Sequence, residues 1–383
     1  MGNMSRTSVA TEPKEKARRG PKLRETSLED YQQIALLESR YDLPTKSYEE
    51  WVHLHLSNPL QVGRQPGWPI GWVIEDENKQ IVGSVGNTLL SYELEGRRIL
   101  AVSGYGFVVE PAYRSTSLLL LDRLINQPGV ELFVANTITR ASAAAFSAFE
   151  CPRVPVGVWD EFAFWITHYQ GFLEKFLAMK HCPLARLLSY PLSSAVFLKD
   201  ALTKKGLRQG DVEVQVCPSF DDRFDGFWEG LKRNNPQVLL AARTRDVLEW
   251  HFKYGLLKNQ VWIATVVDGS RLAAYAIFDR RDLKYGFKRM RLVDFQSLDG
   301  GIALLPPLLS WALRKCREEG IHMLANVGRW LEKGELIEMV APYRRNLPTS
   351  WAYFYRANNP GLAERLKDRR AWAPSLFDGN ASL

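Results

Sequence analysis

Residues Val108 to Leu124 read VVEPAYRSTSLLLLDRL. The run begins as a strand, stops at Glu110-Pro111, passes Tyr113-Arg114 and becomes a leucine-rich helix. Proline has no amide hydrogen to give to a ladder, so the strand ends there. An arginine followed by Ser115, Thr116 and Ser117 at a strand-to-helix junction suits an anion. Helix N-terminal amides and the helix dipole both attract negative charge. Phosphate loops usually carry glycine at this point, where the ligand approaches the backbone closely. This one has none.

Working outward, Ser27–Tyr41 has helical spacing, with Ser27 as N-cap, and Ser47 opens a second helix, SYEEWVHLHL. Strand-like runs follow at Gly71–Glu75, Ile81–Leu94 and Ile99–Val109, separated by turn residues. After the Arg114 junction come a helix to about Asn126, a strand over Glu131–Asn136 and a helix over Ala141–Phe149. The second half repeats this order. GWVIEDENKQIVGSV around Trp72 matches VWIATVVDGSRLAAYA around Trp262, and LFVANTI matches HMLANVG. Trp72 and Trp262 are 190 residues apart, as are Asn136 and Asn326. A shared period with weak identity predicts two copies of one fold, about 150 residues each.

The pattern resembles the GNAT acyltransferase superfamily in a tandem arrangement. The local motif has the form (Arg/Gln)-x-x-Gly-x-(Gly/Ala), often after Pro-x-Tyr. Here Pro111, Tyr113 and Arg114 match it, while Ser117 and Leu119 stand where small residues belong. The resemblance implies an α/β chain of α+β type, with two GNAT-like lobes, each a mixed, mostly antiparallel sheet flanked by helices. The expected division is a disordered basic tail over 1–22, a first lobe over 23–165, a helical linker over 166–210 and a second lobe over 211–383.

The resemblance also implies acetyl-CoA or another acyl-CoA as co-substrate. Its pyrophosphate would lie on Arg114, Ser115, Thr116, Ser117, Leu118 and Leu119. Its pantetheine would lie along Val108 and Val109 and at Asn136, in the gap where the fourth and fifth strands splay. Ser117 is small enough to replace glycine at the modest cost of a left-handed backbone, about 1 kcal/mol. Leu119 is expected to face the core. The second copy has FQSLDGGIALLPPLL at this junction, with no cation near in sequence and with Asp299 placed to cap the helix itself. That lobe is therefore expected to shape an acceptor cleft.

Acyl transfer needs a base for the acceptor proton and a donor for the oxyanion or leaving thiolate. The fourth strand, ILAVSGYGFVV, holds no carboxylate before Glu110, which leaves Tyr105 as an acid. Asp294, in RLVDFQ of the second lobe, is the best-placed carboxylate, since a charge in an apolar strand needs a partner or a task. A salt bridge from Asp294 to Arg291 or Lys288 is the alternative. The expected activity is N- or O-acyl transfer to an amino sugar or amino-acid-like small molecule held between the lobes. A non-catalytic pair used as a binding or scaffold module, and a Fem-like aminoacyl transferase using aminoacyl-tRNA, remain open. The ending WAPSLFDGNASL resembles that of bacterial tandem-GNAT proteins associated with cell-surface saccharides, and no role for Asp378 follows from the sequence.

Net charge is +7 over 383 residues, and residues 1–24 carry seven Lys/Arg against two Glu. The body is thus nearly balanced, which argues against a nucleic-acid partner. No apolar stretch is long enough to span a bilayer. Cys151, Cys182, Cys217 and Cys316 lie far apart, without metal-ligand spacing, and read as reduced thiols of a cytoplasmic protein. The segment Trp165–Lys205 is helical and basic with Leu and Phe on one side. That pattern suits either a helix pair bridging both lobes or a membrane surface.

Overall fold

The computed structural model describes residues 20–62, 67–203, 207, 212–329, 331–346 and 351–383. The expected basic tail therefore lies, up to residue 19, outside the described residues.

Two sheets organise the chain. The first runs β1 (Lys22–Glu25), β2 (Gly71–Glu75), β3 (Ile81–Leu94), β4 (Arg97–Val109), β5 (Leu132–Thr139) and β14 (Trp351–Ala357), with β8 (Leu240–Ala241) paired to β3. The second runs β13 (Tyr343–Asn346), β6 (Val158–Ile166), β12 (Met323–Arg329), β11 (Arg289–Ser297), β10 (Arg271–Arg280), β9 (Val261–Asp268) and β7 (Gln215–Cys217). Among the strands of the described residues, β4–β5 and β11–β12 are the pairs that run parallel. Parallel neighbours need a crossover, and α3 (Ser117–Ile125) and α9 (Leu305–Glu318) supply it. The two halves thus repeat one strand order. Each sheet is completed by a strand from the other half: β6 lies beside β12, and β14 lies beside β5.

Local chemistry explains the helices that frame the first sheet. α1 (Tyr31–Arg40) follows a short turn capped by Ser27 and Asp30. α2 (Tyr48–Leu56) opens on a capping box in which Ser47 Oγ accepts from Glu50 N while Glu50 accepts from Ser47 N at 3.0 Å. α1 and α2 close one face through Leu37, Trp51, Val73 and Val108; α3 closes the other through Leu120, Leu121, Leu124 and Ile125. α4 (Arg140–Ala148) follows β5, and α5 (Tyr169–Met179) and α6 (Ala185–Thr203) form a hairpin between the halves. In the second half, α7 (Asp222–Asn234) and α8 (Arg245–Leu257) precede β9, and α10 (Leu331–Val340) and α11 (Pro360–Arg365) follow β12 and β14.

One apolar core crosses both halves, joining Tyr92, Ile99, Leu132 and Val134 to Phe224, Tyr275, Ile277 and Phe377. The segment Ser375–Ser382 threads this interface. Leu376 N bonds Val293 O at 3.0 Å, Asn136 Nδ2 bonds Asp378 O at 2.6 Å, and Asn380 N bonds Asn136 Oδ1 at 3.1 Å.

Candidate active site at a splayed strand pair

In the first sheet β4 and β5 are paired only at Ala101–Leu132 and Val102–Phe133, and beyond that they diverge. The closed end of the V is buried, but Gly104, Tyr105, Gly106 and Phe107 on one arm and Thr137, Ile138 and Thr139 on the other are half-exposed. The β3–β4 register slips by one residue, so that Gly106 and Phe107 together oppose Val85. This bulge turns the strand and frees ladder groups. Gly106 has φ +59°, and a Cβ there would collide with Glu38 Oε1. A carboxylate from α1 therefore lies directly against the bulge.

Glu38 is 8% exposed, and none of the hydrogen bonds or ion pairs among the described residues engages its carboxylate. Burial pushes its pKa up to about 7, against a smaller opposing pull from the charge of Lys46. Lys46 is lowered in turn to about 8, by its own burial and then by the charge of Arg281. On the same strand, Tyr105 shares its hydroxyl with His55 Nε2 at 2.6 Å. Burial, and then Lys46, hold His55 at about 3, so its imidazole is neutral. Burial and the Glu38 charge raise the Tyr105 phenol, which keeps its proton. The bulge therefore gathers a carboxyl poised near neutrality and a phenol oriented by a neutral histidine. The sequence reading singled out Tyr105 and missed Glu38, Lys46 and His55. Nothing in their spacing reveals the site, because they come from α1, a loop and α2.

Asp294 occupies a different network. It is 1% exposed and accepts from Arg243 Nε at 2.8 Å and Nη2 at 3.1 Å, from Tyr275 Oη at 2.8 Å and from Gln296 Nε2 at 3.1 Å. Burial alone would raise Asp294, but the charge and hydrogen bonds of Arg243 outweigh it and hold the carboxyl at about 2. Such a group is ionised and fully occupied, a poor proton acceptor at neutral pH. Its partner is Arg243, 51 residues earlier, and not Arg291 or Lys288; Arg291 pairs instead with Asp279. Arg243 Nη2 also bonds Asp378 Oδ1 at 2.9 Å, which gives the C-terminal aspartate its structural place.

The Arg114 junction differs from its sequence reading in two ways. Residues Pro111–Thr116 wind into a 3-10 turn that runs straight into α3, with Ser117 in right-handed helical geometry (φ −58°, ψ −32°). Thr116 Oγ1 and Ser117 Oγ donate back to Tyr113 O at 2.6 Å and Arg114 O at 2.7 Å. No left-handed serine is needed, and both hydroxyl protons are committed to the backbone of the preceding turn. Leu119, expected in the core, is 49% exposed, because the helix turns Leu120 and Leu121 inward instead. Arg114 and Ser115 are exposed, Val108 is buried and Val109 half-buried. Asn136 is buried, with its amide committed to Asp378 and Asn380.

The corresponding splay of the second sheet is shut. β11 and β12 part after Leu292–Asn326, and Leu376 bonds Val293 in the gap. β11 is buried from Met290 to Ser297. Beyond its end lies a cavity of about 690 Å³, lined by Gln296, Ser297, Gly300, Gly301, Arg369 and Arg370 among others. Arg369 and Arg370 bring to this loop the cations that its sequence neighbourhood lacks. Asp299 accepts from Ser297 Oγ at 2.5 Å and Gly301 N at 2.8 Å, so a carboxylate already occupies the turn, as its position suggested.

Comparison with solved structures identifies the architecture. The GCN5-related N-acetyltransferase from Anabaena variabilis is 11% identical and superposes with a TM-score of 0.51, over 88% of this chain and 73% of that one. Saccharomyces cerevisiae N-myristoyltransferase with bound myristoyl-CoA is 10% identical with a TM-score of 0.56, over 91% of this chain and 84% of that one. A GCN5-related N-acetyltransferase from Kribbella flavida matches at 11% identity and 0.51, over 88% and 71%. By sequence, no family model and no curated protein matches the chain.

Proposed function

We propose, from the tandem GNAT fold, that the protein is an acyl-CoA-dependent acyltransferase whose donor enters the open β4–β5 splay of the first lobe. The observation that carries this reading is the asymmetry of the two splays. The first keeps half-exposed arms and a buried carboxyl against its bulge, with the terminal segment hydrogen-bonded to its β5 arm at Asn136 and Thr137, while in the second that segment bonds Val293 on a fully buried β11. In this reading the exposed Arg114 meets the pyrophosphate and Val108 and Val109 border the pantetheine. Glu38 takes the acceptor's proton, since a base works best with a pKa near the working pH. Tyr105, held by His55, returns a proton to the leaving thiolate. An amino sugar or amino-acid-like small molecule remains the proposed acceptor. Acyl-CoA binding by the myristoyltransferase neighbour supports the donor class and leaves the chain length to be measured.

A second reading places the donor in the cavity of the second lobe, favoured by Arg369 and Arg370 beside the Gly300-Gly301 turn. Calorimetry with acetyl-CoA and myristoyl-CoA separates the two. Arg114→Glu should raise the dissociation constant at least tenfold, about 1.4 kcal/mol, with Arg369→Glu/Arg370→Glu near wild type. The reverse pattern would move the donor to the second lobe, and no binding of either thioester would reject acyl transfer.

A further inference from the structure

The α5–α6 hairpin is built inside out. α6 buries Ala185, Ser189, Ser193 and Asp200, and turns its leucines to water. Leu187 is 68% exposed, Leu198 59% and Leu202 79%, joined by Leu184, Tyr190 and Phe197. Single exposed leucines are ordinary on a soluble surface, but a contiguous set on one helix marks a binding face. At 100° per residue, these positions together with the exposed Leu188 and Leu192 cover roughly 220° of the helix circumference. A helix that pairs with another helix needs only a narrow seam. A broad convex face suits a planar apolar medium better than a second copy of the same hairpin.

The charges point the same way. From Leu187 to Leu198 the helix carries no ionisable residue except Tyr190. The exposed charges flanking it, Lys180, Arg186 and Lys199, are all positive. Its one acid, Asp200, faces inward and accepts from Tyr169 Oη at 2.8 Å and Tyr343 Oη at 2.6 Å. Beside α6 opens a cavity of about 840 Å³ with apolar walls at Trp165 and Leu313, cations at Arg314 and Arg317, an Arg344–Glu338 ion pair and the inward Asp200. No helix among the described residues is long and apolar enough to cross a membrane. At 19 residues, with Pro191 inside it, α6 is about 28 Å long.

We propose that α6 seats the protein on an anionic lipid bilayer, with its leucines and Phe197 at the acyl boundary and the flanking cations among the headgroups. Interfacial helices of this kind combine buried apolar area with attraction to anionic lipid. The inference stands apart from the acyl-transfer reading and does not depend on it.

Co-sedimentation of the full chain with phosphatidylcholine vesicles, plain or doped with phosphatidylglycerol, tests it. Binding should be strong on doped vesicles, at least about tenfold weaker on plain ones, and reduced by salt. Leu187→Ser/Leu198→Ser should cut binding to doped vesicles at least about tenfold without moving the thermal midpoint, since both side chains are exposed. That variant decides the matter, because the basic N-terminal residues can attract anionic lipid unaided. Lys180→Glu/Arg186→Glu should weaken binding and flatten its salt dependence. Failure of the wild type to bind doped vesicles would overturn the proposal, as would serine variants that bind like wild type. A wild-type dimer that the serine substitutions dissociate, with no vesicle binding, would assign the face to a second copy instead.

Discussion

Replacing Glu38 by glutamine tests the site through stability, before any acceptor is known. The folded-state pKa stands at about 7 against an ordinary 4.5, because burial disfavours the charge more than Lys46 relieves it. A carboxyl raised on folding binds its proton more tightly in the native state than in the unfolded one. Its contribution is fully present below pH 4.5 and is lost as pH rises through 7. One pKa unit is worth about 1.36 kcal/mol, so the full swing is roughly 3 kcal/mol. Wild-type protein should therefore lose up to that amount between pH 5 and 8 from this group alone. The glutamine variant, neutral throughout, should lack that component and be the more stable form at pH 8, while the two nearly coincide at pH 5. Urea unfolding across this range measures the difference directly. Parallel pH profiles for the two proteins would show that Glu38 titrates normally, and its assignment as the poised base would fall.

Three further expectations concern the frame around the site. Arg243→Met should cost about 3–5 kcal/mol, because it strands Asp294 and Asp378 as buried carboxylates without their counter-charge; a thermal midpoint close to wild type would refute the network. Gly379→Ala should destabilise by about 1–3 kcal/mol, since Gly379 has φ +115° and a Cβ would stand 2.9 Å from Asn136; unchanged unfolding would show that the terminal segment is not locked there. Leu119→Gly should cost about 1 kcal/mol of helix propensity, with little of the cavity penalty of a buried leucine, as the residue is half-exposed. A loss above about 3 kcal/mol would return Leu119 to the core.

The parts of the fold that were legible depend on neighbours along the chain. Alternating apolar residues and turn chemistry marked β2 and β3 at their observed limits, Gly71–Glu75 and Ile81–Leu94, and Ser47 announced α2. The repeat of Trp72 in Trp262 foretold two like sheets, because a strand's register is written in its own sequence. The exchange of β6 and β14 was not legible, since nothing in an edge strand names the sheet it will join.

The same divide governs the chemistry. Arg114 and Tyr105 were visible because they belong to one continuous strand-loop-helix passage. Glu38 was not, because its carboxylate becomes unusual only when α1 packs over the Gly106 bulge and removes water from it. Asp294 shows the converse: a charge in an apolar strand announced a buried partner, but the partner, Arg243, came from before α8 and neutralised the reactivity that the isolated carboxylate suggested. What distinguishes the two acids is the partner each meets. Asp294 receives a bidentate arginine and stays charged, whereas Glu38 feels the charge of Lys46 with no hydrogen bond to it among the described residues, a pull smaller than the cost of its burial. A buried carboxyl left near neutrality against the Gly106 bulge has the proton affinity that the proposed base requires. One locked against an arginine stays ionised and ties β11 to the terminal segment through Arg243.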